Sequence, residues 1–145
     1  MQTTNEGKIK LVADIAVFCG DEVLLVKYSE TNRYDHQSGW FMPDDLINDG
    51  EHPEDAAIRI VKEQLGINVD GIELGFIESF TGNDRSWHLV FHYKIHFDTK
   101  PELKKAQDIA EMHWFSIGAM PDEKEIAHHG WAKHTINELV KLNGN

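Results

Sequence analysis

The sequence contains little that would cross-link the chain or place it in a membrane. Its one cysteine, Cys19, excludes an internal disulfide and a cysteine-rich zinc cluster, and is ordinary for the reducing cytosol. The first ten residues, MQTTNEGKIK, lack the apolar centre of a signal peptide. No run approaches the roughly 18 apolar residues of a membrane span. We therefore expect a soluble, cytoplasmic protein.

Positive charge is also scarce. Lysine and arginine total 14 against 25 aspartates and glutamates, which gives a formal net charge of -11. The average field of the protein therefore repels phosphate backbones and anionic membranes, and we expect neither bulk nucleic acid nor a membrane as a partner. A small phosphorylated ligand is still compatible with this net charge, because one or two arginines or a bound cation reverse the field locally.

The chain has no internal repeat and no Pro/Gly-rich linker that would divide it. Its 145 residues are enough to bury a hydrophobic core without disulfides or metals. We predict one domain over residues 1–145, with residues 1–7 as a flexible N-terminal extension.

Local patterns predict a mixture of strands and helices. Strands are predicted over 8–18 and 22–28, joined as a hairpin, and then over 72–80, 87–97 and 112–116, with helices over 53–65 and 131–142. Because these elements do not alternate as regular βαβ units, we predict an α+β class with helices on the faces of a mixed sheet. The strand 87–97 has period two, with His88, His92 and His96 on one side.

The predicted helix at 53–65 has two different faces. Pro53 suits a first helical turn, and Gly66 ends the helix as glycine often does. At about 100° per residue, one face is apolar and consists of Ala57, Ile58, Val61 and Leu65. A second patch consists of Arg59, Ile60, Glu63 and Gln64, and its one apolar member, Ile60, stands out.

The segment 45–67, DLINDGEHPEDAAIRIVKEQLGI, resembles the signature of the Nudix hydrolases, G-x5-E-x7-R-E-U-x-E-E-x-G-U with U a bulky apolar residue. Six positions agree, namely Glu51, Arg59, Val61, Glu63, Gly66 and Ile67. Three depart from the signature: Asp45, Ile60 and Gln64. The flanking stretches WFMPDD at 40–45 and EMHWFS at 111–116 are similar to the W-x-L-P-G-G and E-x-x-W-F-S elements of the family. This resemblance implies a Nudix fold, with a mixed β-sheet sandwiched between α-helices.

The resemblance also implies a reaction and a cofactor. Family members hydrolyse a nucleoside diphosphate linked to another group, or a similar pyrophosphate compound, with Mg²⁺ or Mn²⁺ held by the helix glutamates. In this pattern Glu51 and Arg59 brace the loop against the helix, and Glu63 alone of three helix carboxylates is retained. Isoleucine cannot ligate a cation, and a neutral amide is a poorer ligand than a carboxylate. We therefore expect a depleted metal site with weak or altered hydrolysis, or alternatively a silent domain that binds or senses a small molecule.

Other carboxylates are candidates to replace the missing ligands. The sequence gains two carboxylates, Asp44 and Asp45, in the loop before a helix that lacks two of the family's glutamates. One hypothesis is therefore a metal site made of Asp44, Asp45 and Glu63. The alternative is that the two aspartates only solvate a loop in an inactive relative. The family often places a further carboxylate at the positions of Asp108 and Glu111. Either residue is a candidate base or metal ligand, and the alternative is that both are solvated loop residues.

Aromatic, basic and histidine side chains are candidates for substrate binding. Trp40, Tyr34 and Trp87 are suited to stack on a base, and Arg33 and Arg85 to contact a phosphate. Core burial explains the aromatic residues equally well. Residues four apart on a strand are about 13 Å apart, so the strand histidines cannot share one metal ion. Instead, His88 or His92 could line a ligand cleft as an acid, a base or a hydrogen-bond donor. The alternative is that this side of the strand is simply exposed to solvent. Members of the family are often dimers, so the resemblance makes a homodimer one expectation, although the sequence itself does not reveal the oligomeric state.

Overall fold

A computed structural model describes residues 8–30, 38–82 and 85–142. The candidates Arg33 and Tyr34 and the expected extension 1–7 lie outside these residues. The chain forms β1 (Ile9–Cys19), β2 (Glu22–Tyr28), β3 (Asp44–Leu46), α1 (Pro53–Leu65), β4 (Glu73–Thr81), β5 (Trp87–Phe97), β6 (Ile109–Ser116) and α2 (Ala127–Leu142). The predicted α+β class is confirmed. None of the helices in the described part is long and apolar enough to cross a membrane.

The strands form one mixed sheet in the order β4-β5-β1-β2-β6, with β3 paired to β1. The two longest strands, β1 and β5, run parallel in continuous register from Ile9 opposite Trp87 to Cys19 opposite Phe97. The other pairs are antiparallel, including the predicted hairpin of β1 and β2, whose turn places Gly20 at a φ of 61°. A parallel pair in the centre explains why both faces of β1 are buried.

Each face of the sheet is covered by one helix. Alternate residues of β1 point to opposite faces, so Ala13, Ile15 and Val17 pack in one core with α1. Ala16 and Phe18 pack in the other core with α2. The sheet is therefore the middle layer of a three-layer sandwich, as the family resemblance implied.

Helix α1 begins at Pro53 and ends at Gly66, as predicted, with Gly66 at a φ of 73°. Its buried arc differs from the prediction, because Ile60 is fully buried and Ile58 is only half-buried. Segment 104–106 covers the helix on a second side, where Lys104 donates to the carbonyl of Leu65 and Ala106 to that of Gln64. The prediction that Ile60 lies in a separate, mainly polar patch of the helix was wrong, since this residue belongs to the core.

Two boundaries differ from the sequence prediction by three or more residues, and those of β1 and β4 differ by one. Strand β6 begins at Ile109 rather than 112, because its first residues pair with the end of β2 past a bulge at Lys27 and Tyr28. Helix α2 begins at Ala127 rather than 131, although His128 and Gly130 in its first turn have positive φ values of 56° and 93°. Both extensions rest on contacts to distant parts of the chain, which local patterns do not show.

Candidate functional site

The brace predicted between Glu51 and Arg59 is present at the start of α1. Arg59 donates from Nε to Oε2 of Glu51 at 2.9 Å and from Nη2 to Oε1 at 3.1 Å, and Nη2 also donates to the carbonyl of Leu46 at 3.0 Å. The hydrogen bonds from Arg59 lower the pKa of Glu51, and Glu51 in turn raises the pKa of Arg59. This two-bond carboxylate pair ties the loop between β3 and α1 to the helix.

Two further predicted residues lie around the same guanidinium. Nη1 of Arg59 is 3.2 Å from Oε1 of Glu63 and 3.5 Å from Oδ2 of Asp45. The other oxygen of Asp45 accepts the backbone N–H of Leu46 at 2.8 Å. The side chain of Glu63 is 62% exposed. Arg59 therefore already supplies the positive charge that these carboxylates face.

Asp44 does not join Asp45 and Glu63. In the register of β3 with β1, Asp44 lies opposite Asp14 and Asp45 opposite Ala13, so the two aspartates point to opposite faces of the sheet. Across residues 8–30, 38–82 and 85–142, no group of three or more His, Cys, Asp or Glu side chains is placed to hold a metal ion. The hypothesis of a site made of Asp44, Asp45 and Glu63 therefore does not fit the structure.

At the position of the second missing glutamate, Gln64 is 5% exposed and sits in a neutral hydrogen-bond network. Its Oε1 accepts the hydroxyl of Tyr28 at 2.7 Å, and its Nε2 donates to the carbonyl of Asp44 at 2.9 Å. With Ile60 in the core and Gln64 in this network, the residues present do not fit the multi-ion centre that the family implies.

The two loop candidates near β6 are both exposed. Oε2 of Glu111 lies 3.9 Å from Nζ of Lys27, a loose surface pair. The carbonyl of Asp108 accepts the backbone N–H of Ser29 at 2.8 Å, which ties the loop to the end of β2. Their role as base or ligand stays a prediction.

A cleft lies on the opposite face of the sheet, beneath α2. Its cavity volume is about 30 Å³, within about 420 Å³ of empty space that includes open solvent. Its walls combine carboxylates, aromatic rings and histidines: Asp14, Asp44, Trp40, Phe41, Phe80, Trp131, His88 and His128. The sequence candidates Trp40, His88 and Asp44 are thus brought together here.

Other sequence candidates do not reach this cleft. Trp87 precedes His88 on β5 and therefore points to the other face of the sheet, where it is 43% exposed. Arg85 is exposed in the turn before β5, with a φ of 68°. The reading of the β5 histidine side as a solvated face was wrong for His88 and His92, because α2 covers it and both are buried.

His92 lies behind the cleft between two carboxylates. Its Nδ1 is 2.6 Å from Oδ1 of Asp14, and its Nε2 is 2.5 Å from Oε1 of Glu78. Burial alone would lower the pKa of His92, but Asp14 and Glu78 outweigh burial and raise it to about 9. Burial raises the pKa of Asp14, and the hydrogen bond from His92 lowers that of Glu78. At neutral pH we therefore assign a charged imidazolium that compensates the buried Asp14.

Sequence reasoning did not single out Asp14, Glu78 and Trp131, the residues of this region with the clearest chemistry. Asp14 could have been predicted from the sequence. It is the single carboxylate inside the apolar run LVADIAVF, and a buried carboxylate needs a partner. No sequence pattern predicts that Glu78 and Trp131 lie near Asp14, since their positions depend on how β4 and α2 pack.

The sandwich of two helices around a mixed sheet, with a braced helix after β3, defines the class of fold. A family model described as NUDIX domain matches residues 9–138, and the chain belongs to this family. An RNA pyrophosphohydrolase of Wolbachia is 30% identical over 65% of this chain and 72% of its own length. Another, of Hydrogenovibrio crunogenus, is 26% identical over 63% of this chain, which spans half of that relative.

Solved structures agree with this fold. A NUDIX hydrolase from Nitrosomonas europaea superposes with a TM-score of 0.74 at 19% identity, over 92% of this chain and 90% of that one. The MutT NUDIX hydrolase of Burkholderia pseudomallei gives 0.72 at 18% identity, over 92% and 97%. At these identities the likeness establishes the fold alone.

Proposed function

We propose that the protein binds a small pyrophosphate-containing, nucleotide-like compound in the cleft beneath α2, without the multi-ion hydrolysis of its family. The observation that carries this proposal is the pairing of Asp14 and Asp44 across β1 and β3, with both carboxylates lining a cleft walled by aromatic rings. Family membership supports the ligand class, and the arrangement of Arg59, Ile60 and Gln64 argues against a metal cluster.

The chemistry of the cleft suits a nucleobase rather than a phosphate. Carboxylates accept hydrogen bonds from the amino and imino groups on a base edge, and aromatic side chains stack on its face. Phosphate oxygens are hydrogen-bond acceptors themselves, so the carboxylate oxygens of Asp14 and Asp44 offer them no hydrogen bond. The ligand therefore enters base first and leaves its phosphates at the mouth of the cleft.

The cleft must open to accept a ring. A cavity volume of about 30 Å³ has room for roughly two water molecules, which is less than a base needs. His128 and Trp131 of α2 form the wall that faces solvent, because both also line the wider groove beside the cleft. We expect these two side chains to move outward on binding.

Hydrolysis is the second candidate function. The retained brace of Glu51 and Arg59, the exposed Glu63 and the pyrophosphohydrolases among the relatives favour it. If one of the missing helix glutamates also acted as a positioned base, its loss alone would slow the reaction by about 10²- to 10⁴-fold. A hydrolase with this site therefore works slowly, with Mg²⁺ or Mn²⁺ that it holds weakly.

One panel separates the two functions. Nucleotide sugars, dinucleotides and nucleoside triphosphates are titrated calorimetrically in EDTA, and each is then incubated with Mn²⁺ and assayed for products. Binding in EDTA without turnover supports the first proposal, and turnover that depends on Mn²⁺ supports the second. If neither binding nor turnover is found across the panel, both proposals fail.

Matched tryptophan variants place the ligand. Trp131→Ala is expected to weaken binding by about tenfold or more, since stacking on a base contributes roughly 1–3 kcal/mol. Trp87→Ala, on the other face of the sheet, is the control and should leave affinity unchanged. Equal losses in both variants would contradict the assignment of the cleft. Restoring glutamate at Ile60 is a poor control, because it would bury a carboxylate in the core.

A further inference from the structure

The joint between α1 and β3 is held by an uncharged network of three residues. The hydroxyl of Tyr28 donates to Oε1 of Gln64 at 2.7 Å and accepts the backbone N–H of Asp44 at 3.0 Å. Nε2 of Gln64 closes the ring by donating to the carbonyl of Asp44 at 2.9 Å. The network therefore satisfies both backbone polar groups of Asp44 and the polar atoms of a buried glutamine.

The amide nitrogen of Gln64 is the critical member. A glutamate of the same shape would place an oxygen about 2.9 Å from the carbonyl oxygen of Asp44. Two acceptors at that distance repel each other unless a proton or a cation lies between them. Gln64 supplies the hydrogen itself, so the contact needs no ion.

We propose that Gln64 is a positioning residue that takes the place of a divalent cation between α1 and β3, so that this joint is held independently of metal. The consequence reaches the opposite face of the sheet, because the carboxylate of Asp44 lines the cleft while its backbone is fixed by Gln64. The inference concerns the ligand-free protein, so it stands or falls separately from the proposed function.

The test is the melting temperature of the full chain in EDTA and in excess Mn²⁺, with Gln64→Glu as the variant. The native protein should melt within about 1 °C in the two conditions, while Gln64→Glu should melt lower in EDTA by roughly 5 °C or more. Mn²⁺ should then restore most of that loss in Gln64→Glu. The control is Gln107→Glu, which adds the same charge at an exposed position and should change little in either condition.

Three results would overturn the proposal. The first is a native protein that Mn²⁺ stabilises as much as it stabilises Gln64→Glu. The second is a Gln64→Glu protein as stable in EDTA as Gln107→Glu, and the third is a loss that Mn²⁺ does not reverse.

A second set of variants serves if Gln64→Glu does not fold. Tyr28→Phe and Gln64→Met keep the side-chain volumes and remove the polar atoms, and both are measured in EDTA singly and together. A shared network predicts that the double variant loses clearly less than the two single losses added. Strict additivity would show that the three residues do not act as one joint.

Discussion

At the scale of single residues, the protein contains a buried histidine whose charge depends on two acidic neighbours. The pKa of His92 is raised to about 9 in the folded state, from an ordinary value of 6.5. A raised folded pKa means that the folded protein holds this proton more tightly than the unfolded chain does. Its contribution to stability is therefore complete below pH 6.5 and is lost as the pH rises to about 9.

This linkage predicts a fall in stability of about 2–3 kcal/mol between pH 6.5 and 9, or roughly 5–10 °C in melting temperature. Asp14 then stays buried beside a neutral ring, while Glu78 keeps partial contact with solvent. Thermal unfolding across this range checks the prediction. His92→Asn should flatten the dependence, whereas His96→Asn, at the exposed histidine of the same strand, should keep it. A native protein with no such slope would contradict the charged state of His92.

At the scale of elements, α1 depends on one arginine for its attachment to the loop that precedes it. Arg59 makes a two-bond pair with Glu51 that is mostly shielded from solvent, and a contact with Glu63, whose side chain is much more exposed. Glu51→Gln should lower the free energy of unfolding by about 1–2 kcal/mol, because a charge-assisted pair is weakened and Arg59 loses its main partner.

Urea denaturation measures this effect, and Glu63→Gln is the matched control. Exposed pairs contribute about 0–1 kcal/mol, so Glu63→Gln should change stability by less than about 0.5 kcal/mol. The pKa of Glu51 is lowered, so its contribution is present above pH 4.5 and is lost as the pH falls further. If the two variants proved equally stable, Glu51 would not be the brace.

The elements also show what sequence patterns can predict. Period-two alternation located β5 over 87–97 correctly, and Pro53 and Gly66 fixed the ends of α1, because these signals are local. The burial of Ile60 was not predictable from the helical period, which gives directions around an axis but not what lies beside the helix. The parallel pairing of β1 with β5 joins residues nearly 80 positions apart, which no local pattern encodes.

The same limit explains the candidate site. Glu51 and Arg59 were found because motif spacing reflects one loop and one helix. Asp44 and Asp45 were wrongly joined in one metal site, since adjacent residues of a strand point to opposite faces and β3 was not predicted. Asp14 contacts His92 of β5, and His92 in turn contacts Glu78 of β4, so only the assembled sheet reveals these partners.

At the scale of the whole molecule, the net charge of -11 acts on any anionic ligand. The predicted homodimer remains a prediction, which light scattering coupled to size-exclusion chromatography checks directly. The oligomeric state matters for binding, because a second copy would add its own negative charge to the field at nearby clefts.

Because of this charge, the salt dependence of binding tests whether the ligand is anionic and whether it binds at an acidic or a basic surface. Salt screens the repulsion between the protein and a nucleoside diphosphate, with a Debye length of about 10 Å at 0.1 M. Affinity should therefore rise by roughly two- to threefold as ionic strength rises from about 0.02 to 0.2 M, opposite to the weakening seen when basic proteins bind nucleic acid. The uncharged nucleoside of the same base is the control and should bind equally at both salt concentrations. Titration calorimetry gives both constants, and binding that weakens with salt would indicate that a basic surface, rather than the acidic cleft beneath α2, holds the ligand.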